Sequence, residues 1–333
     1  MKKSRILIAA LSLALAVPAA AQDPEEEERN WAVVEFSTNF MREEPDYAAE
    51  NGDQALMGTV VQIIGERGYW RHIVTPEPYS AWVNEMGIVP MTREEVNDYI
   101  DCLKYICIKD FTHIYEEPST DSGRITDFVM GGLVRSLFNG KGKPLKSGKF
   151  LACMLPSGKC GWVLKNDVED FDTWAASREM TAEAIISTAF DFLGVPYMWG
   201  GTSIKHVDCS GLVRSVFYMN GILLPRNASQ QAKAGVPVAL DAIEPGDLLF
   251  FGTPSDGVEP ERISHVGIYM GDGVYIHSSQ VVRISSLDEE SEDYGGRQPL
   301  RACRILGHVD DGHGAISISR SPYYFAQPEG NQY

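Results

Sequence analysis

From Trp31 onward the apolar positions fall in short alternating runs, Trp31 to Met41, Thr59 to Ile64, Tyr69 to Val74 and Ala81 to Val83, punctuated by Gly, Pro and Asp. Period-two alternation between turn residues predicts short strands, and strands at this spacing predict a small all-β barrel. The pattern then repeats. Glu43-Glu44-Pro45 returns as Glu116-Glu117-Pro118 and Met57-Gly58 as Met130-Gly131, both 73 residues later, while Trp82-Val83 returns as Trp162-Val163 after 80. The difference of seven residues fits into the Lys/Gly-rich stretch Asn139 to Lys149, so the ordered series predicts two copies of one fold. Between the copies, Thr92-Arg93-Glu94-Glu95 has the form of a capping box. Val96, Tyr99, Ile100 and Leu103 follow at helical spacing, which predicts a short connecting helix.

The periodicity changes near Arg178. Thr181 to Leu193 reads as an amphipathic helix stopped by Gly194 and Pro196, and Asp208 caps a second helix over Cys209 to Asn220. Strands are predicted at Leu248 to Phe251, Ser264 to Met270 and Val274 to Ser279. Helices followed by a run of antiparallel strands make an α+β unit. The expected organisation is therefore residues 29–91 and 105–170 for the two barrels, 92–104 for the connecting helix, 178–310 for the α+β unit and 311–333 for a tail.

Composition narrows the function classes. The chain has 333 residues, 44% hydrophobic and 23% charged, enough for two or three domains with real cores. Its net charge of −17, with no clustered Lys/Arg stripe, excludes a nucleic-acid backbone as partner. Residues 1–21 have the form of an export signal: Lys2, Lys3 and Arg5, then the apolar run Ile6 to Val17, then Ala19-Ala20-Ala21. That run is too short to span a bilayer, and no later one is long enough, so the mature chain is expected to start at Gln22, outside the cytoplasm and without a membrane span. Six cysteines in an exported chain invite disulfides, with Cys102/Cys107 and Cys153/Cys160 close in sequence, but the favoured expectation is buried free thiols.

Candidate chemistry centres on Cys209 at the start of a predicted helix, where the helix dipole and unpaired N–H groups favour the nucleophilic thiolate while neighbouring Asp208 opposes it. Of seven histidines, His265 and His277 are the candidate base and its orienting partner. If the hairpin turn is the three residues Gly271-Asp272-Gly273, Met270 pairs with Val274 and Gly267 lies opposite His277, which puts both histidines on one face. A two-residue Asp-Gly turn would slip the register and separate them. In the functional reading His265 takes the thiol proton and later protonates a leaving amine, His277 fixes its tautomer, and the Cys209 backbone N–H and the Tyr197 hydroxyl hold the oxyanion. The competing readings of the same residues are a buried structural Cys beside two core histidines, and a zinc site on Cys209, His265 and His277, which lacks any Cys-x-x-Cys or His-x-x-x-His pair.

The strings Pro196-Tyr197-Met198-Trp199-Gly200-Gly201, Asp208-Cys209-Ser210-Gly211, His265-Val266-Gly267-Ile268-Tyr269 and Ile276-His277-Ser278-Ser279 resemble the NlpC-type cell-wall cysteine peptidases, a branch of the papain-like fold. The upstream repeat resembles the two bacterial SH3-like domains of γ-D-glutamyl-L-diamino-acid endopeptidases in that family. The resemblance implies two SH3-like barrels followed by an α+β papain-like cysteine peptidase domain, without metal or cofactor. It implies as substrate a peptidoglycan-derived peptide, L-Ala-γ-D-Glu-diamino acid, cut after γ-D-Glu. It further implies that Glu50 and Tyr79 on the first SH3-like domain recognise the free amine of L-Ala, that Trp199 and Tyr197 line the cleft, and that Asp208 and Ser210 lie near the substrate. Asn227 departs from the Asp that usually follows the Arg of the family's Pro-Arg motif. Three alternatives stand beside this reading: a wall-remodelling endopeptidase acting on intact murein, a peptidoglycan-binding scaffold with an idle catalytic domain, and an acyltransferase or amidase on the same Cys-His layout.

Overall fold

The computed structural model describes residues 28–327, so the expected export signal and the end of the tail lie outside the described residues. The first unit is a seven-stranded antiparallel sheet of β1 (Trp31–Val34), β2 (Thr38–Arg42), β3 (Asn51–Leu56), β4 (Val60–Arg67), β5 (Trp70–Val74), β6 (Ser80–Asn84) and β7 (Ile88–Met91), in the order β3-β2-β6-β5-β4-β1-β7. The run expected as one strand from Trp31 to Met41 is thus two strands, broken at Glu35–Ser37. Alternation encloses a small core of Ala32, Val34, Met41, Val61, Ile73 and Val83, all buried. Helix α1 (Arg93–Asp101) follows. Thr92 accepts from the Glu95 N–H at 3.2 Å while Glu95 accepts from the Thr92 N–H at 2.8 Å, the reciprocal cap expected from sequence.

The second unit contains β8 (Lys104–Cys107), β9 (Phe111–Tyr115), β10 (Arg124–Val129), β11 (Leu133–Ser136), β12 (Lys146–Ser147), β13 (Phe150–Met154), β14 (Cys160–Leu164) and β15 (Val168–Asp170). Its order, β10-β9-β14-β13-β11-β8-β15, is that of the first sheet strand for strand. The addition is β12, which pairs with β13 inside the Lys/Gly-rich insertion. The repeated Met-Gly steps adopt the same left-handed turn, with φ of 82° at both Gly58 and Gly131. The hairpin bond from the Glu43 N–H to Glu50 O likewise recurs from Glu116 to Gly123.

Helices α2 (Phe171–Ala176) and α3 (Ala182–Asp191) lead into β16 (Thr202–Ser203), β17 (His206–Val207) and α4 (Cys209–Met219). Then come β18 (Ile222–Leu223), α5 (Ala228–Gln231), β19 (Val236–Val238), β20 (Leu248–Thr253), β21 (Arg262–Gly271), β22 (Val274–Ser279), β23 (Val281–Ser286), β24 (Arg301–Arg304) and β25 (Ile316–Ser317). Strands β19 to β24 form one sheet in the order β19-β24-β20-β21-β22-β23, and α4 packs on β21 and β22. Taken whole, the chain is mostly β with few helices.

The core under α4 is continuous with the second unit. Leu212, Val216, Phe217, Val266 and Ile276 share a cluster with Ile106, Val129 and Leu133, and with Phe171 and Trp174 of α2, which sequence reading did not anticipate. The tail is a strap across all three units. Tyr323 packs on Trp31 at 5.9 Å, Tyr324 is buried in the main core, and Phe325 stacks on Phe171 at 5.1 Å. Burying one such aromatic contributes about 1.5–3 kcal/mol, so the Ser-Pro-Tyr-Tyr-Phe segment holds the units together. The six cysteines are free thiols, with Cys107, Cys153, Cys209 and Cys303 buried.

Candidate active site

Cys209 is the first residue of α4, capped by Asp208, whose carboxylate accepts from the Gly211 N–H at 2.7 Å. The thiol is 8% exposed. Burial, followed by the charge of Asp208, pushes it up to about 11, and hydrogen bonds from the Val266 and Ser210 backbones pull it back only in part. The expectation of a thiolate favoured by the helix start is therefore outweighed by desolvation, and the resting group is a neutral thiol. The Val266 bond puts the sulfur beside the residue that follows His265.

The hairpin that carries the histidines turns on two residues, Asp272 and Gly273, with φ of 51° and 74°. This is the left-handed pair of a type I′ turn and not the three-residue loop expected from sequence. The register is kept nonetheless. Gly271 pairs with Val274, a bulge falls at Met270, and beyond it Tyr269 pairs with Tyr275 and Ile268 with Ile276. One extra residue in β21 thus cancels the slip that a two-residue turn would cause. Gly267 lies against His277, where a Cβ would come within 3.2 Å of the His277 Cβ.

The outcome is a direct bond: His265 Nε2 and His277 Nδ1 are 2.7 Å apart with the rings nearly perpendicular, and His277 Nε2 meets Ser285 Oγ at 3.1 Å. Burial first, then the neighbouring His277, pushes His265 down to about 3, and burial with nearby Arg283 and Arg297 pushes His277 down to about 4. Both rings are neutral at rest. The two nitrogens face each other at hydrogen-bond distance and are engaged with one another, not directed together at a common third atom as zinc ligation requires. Ser285, on β23, was missed from sequence because a strand serine two positions after Arg283 carries no local signal.

Asp208 and Ser210 are 4% and 5% exposed and belong to a charged network beneath the site. Asp208 accepts from the Gly200 N–H at 2.9 Å and from Arg226 Nη2 at 2.5 Å, and Arg226 Nη1 also reaches Ser210 Oγ at 2.9 Å. Arg226 Nε then donates to Asp53 of β3 at 2.8 Å. Asp53 further accepts from Arg214 at 2.6 Å and Thr202 at 2.9 Å, and Arg214 pairs with Glu77 at 2.7 Å. Asp53 is fully buried, and the pairing spans 173 residues of sequence, which is why no local motif announced it. Exposed Asn227 does not enter this network; its backbone N–H is bonded by Gln230 at the start of α5.

Tyr197 is half-buried and close enough to Cys209 and Asp208 for their charges to matter. Burial foremost pushes its hydroxyl up to about 12, so it remains a proton donor. Trp199 is 59% exposed, and its carbonyl accepts from Asn51 of β3 at 3.3 Å. Gly200, at φ 76°, admits this approach, since a Cβ there would lie 2.3 Å from Asn51 O. On the same unit the Tyr79 hydroxyl donates to Glu43 at 3.0 Å, and Glu50 is exposed. Tyr79 also lies within charge reach of Asp53 and Arg226.

Residues 194–295 match the NlpC/P60 family. The chain is 50% identical over 233 residues to the gamma-D-glutamyl-L-lysine dipeptidyl-peptidase of Bacillus subtilis (strain 168), covering 68% of this chain and 71% of that one. It is 29% identical over 283 residues to dipeptidyl-peptidase 6 of Lysinibacillus sphaericus, covering 81% and 96%. Among solved structures, an NlpC/P60 family protein from Bacillus cereus ATCC 10987 shares the fold with a TM-score of 0.66 at 23% identity, over 83% of this chain and 99% of that one. With a buried cysteine at a helix start, a histidine pair on the adjoining hairpin and a half-identical relative over two thirds of its length, the chain belongs to the NlpC/P60 family of cysteine peptidases.

Proposed function

We propose that the protein hydrolyses the γ-D-glutamyl–diamino acid bond of peptidoglycan stem peptides whose leading L-Ala amine is free. In this reading residues 1–21 direct export to the periplasm or beyond, residues 29–91 and 105–170 are SH3-like domains joined by the helix at 92–104, and residues 178–310 are the papain-like catalytic domain. The observation that carries it is the hydrogen-bonded His265–His277 pair beside the neutral Cys209 thiol, in a site that the first domain walls through Asn51 and Asp53. The relatives named for γ-D-glutamyl-L-lysine dipeptides supply the substrate class.

His265 Nε2 faces His277, so its Nδ1 is the atom left to take the Cys209 proton as sulfur attacks the γ-carbonyl carbon. Both groups start neutral, so proton transfer accompanies attack. The Cys209 backbone N–H, which at the first helical position has no intrahelical partner, and the Tyr197 hydroxyl receive the negative charge on oxygen. As the intermediate collapses, His265 gives its proton to the leaving amine of the diamino acid. Water, deprotonated by His265, then cleaves the thioester. A substrate ammonium is matched to the carboxylates flanking Tyr79: Glu50, as the resemblance implies, and Glu43, which already bonds the tyrosine. Trp199 forms the exposed lip of the cleft, while Asp208 and Ser210, bound to Arg226, hold the nucleophile's helix from beneath.

The test is mass spectrometry of L-Ala-γ-D-Glu-diamino acid peptide and its N-acetylated form, incubated with wild-type and Cys209→Ala protein. Cleavage of the free-amine peptide alone, lost in the variant, is the expected result. Cleavage of both peptides replaces the reading with a wall-remodelling endopeptidase, and cleavage of neither with a binding protein.

A further inference from the structure

We propose that Ser285 is a positioning residue that sets the tautomer of the histidine pair; the inference rests on the Cys209–His265–His277 reading above. Tyr275, His277 and Ser285 lie on one face of the β22–β23 hairpin. Tyr275 pairs with Ser285 and His277 with Arg283, so Ser285 is the diagonal neighbour of His277 and meets its Nε2 at 3.1 Å. Among the described residues, the Ser285 hydroxyl has no other hydrogen-bond partner. Ser285 and His277 are each 2% exposed, so this contact is the available partner for the outer nitrogen of His277.

Proton accounting along the chain leaves two arrangements. If Ser285 accepts from His277 Nε2–H, His277 Nδ1 is a bare acceptor, His265 carries its proton on Nε2, and His265 Nδ1 is free to receive the thiol proton. If Ser285 donates instead, His277 carries its proton on Nδ1 and gives it to His265 Nε2, and His265 Nδ1–H cannot act as a base. Each neutral imidazole holds one proton, so no mixed arrangement satisfies the 2.7 Å contact. A carboxylate at the end of the chain would enforce the first arrangement, whereas a hydroxyl permits both and favours the first by accepting the buried N–H. Without that hydroxyl, the first arrangement strands a buried donor and the second strands only a lone pair, so the pair shifts toward the idle form.

The experiment compares Ser285→Ala with Ser285→Thr, which keeps the hydroxyl and suits a strand. It measures kcat and KM on the free-amine peptide and the ¹⁵N shifts of the His265 and His277 ring nitrogens in ligand-free protein. The expected result for Ser285→Ala is a kcat lower by about tenfold to a hundredfold with KM unchanged, and a His277 proton moved from Nε2 toward Nδ1. Ser285→Thr keeps the wild-type tautomer and at least a third of the rate. An unchanged His277 tautomer in Ser285→Ala overturns the proposal, as does equal loss of rate in both variants. The ring-nitrogen shifts need no turnover, so they test Ser285 even if Cys209→Ala retains activity and the catalytic reading itself fails.

Discussion

Asp53→Asn tests whether the first unit helps to build the active site or merely sits beside it. Asp53 is fully buried and accepts from Arg214, Arg226 and Thr202, and Arg226 in turn holds the carboxylate that caps the helix begun by Cys209. Removing one partner of a buried ion pair costs about 3–5 kcal/mol, because the cations left behind stay desolvated. Asparagine keeps the shape and one acceptor oxygen, so the low end, about 3 kcal/mol, applies. At about 2 °C per kcal/mol for a chain of this size, the melting temperature falls by roughly 6 °C. Loosening Arg226 from Asp208 also weakens the cap, worth about 1–2 kcal/mol, so kcat falls about tenfold. Glu77→Gln provides the contrast. Glu77 bonds Arg214 alone, where Asp53 accepts from two guanidinium groups and Thr202, and burial raises Glu77 against the pull of Arg214, so neutralising Glu77 costs less. Calorimetry and steady-state kinetics on both variants decide the matter. An Asp53→Asn protein that melts within 1 °C or so of wild type at full kcat, or a costlier Glu77→Gln, refutes the reasoning.

Two pH predictions follow from the same site. His265 and His277 have folded-state pKa values lowered from 6.5 to about 3 and about 4, so their contribution to stability is complete above the unfolded value and is lost as pH falls from 6.5, where the unfolded chain takes up protons that the folded one refuses. Each accounts for about 2 kcal/mol by pH 5, and a His265→Asn/His277→Asn double variant should show a flatter acid limb in melting-temperature profiles. Cys209, pushed up to about 11, should react with iodoacetamide in the free enzyme about tenfold faster per pH unit from 7 to 9, read on its own peptide by mass spectrometry; a plateau near pH 7 would mean a preformed thiolate.

What the sequence by itself determined here is local. Thr92 and Asp208 could be read as caps because a cap is satisfied within three residues, and both units could be read from Met-Gly, Glu-Glu-Pro and Trp-Val because a repeated fold repeats its turns. The placement of Cys209 at a helix start and of His265 and His277 on one face of a hairpin was legible for the same reason, each being set within one element or one turn. What only the tertiary structure decided depends on partners distant along the chain or on one-residue shifts in a ladder. The bulge at Met270 reconciles a two-residue turn with the required register, and bulges leave no compositional trace. Tyr79 bonds Glu43, the tail crosses three units, and Ser285 closes the histidine chain, all through side-chain contacts made after strands have paired. Asp53 joins Arg226 from 173 positions away because two buried charges lower their desolvation cost only by meeting, and that meeting place exists only once the first unit has docked on α4.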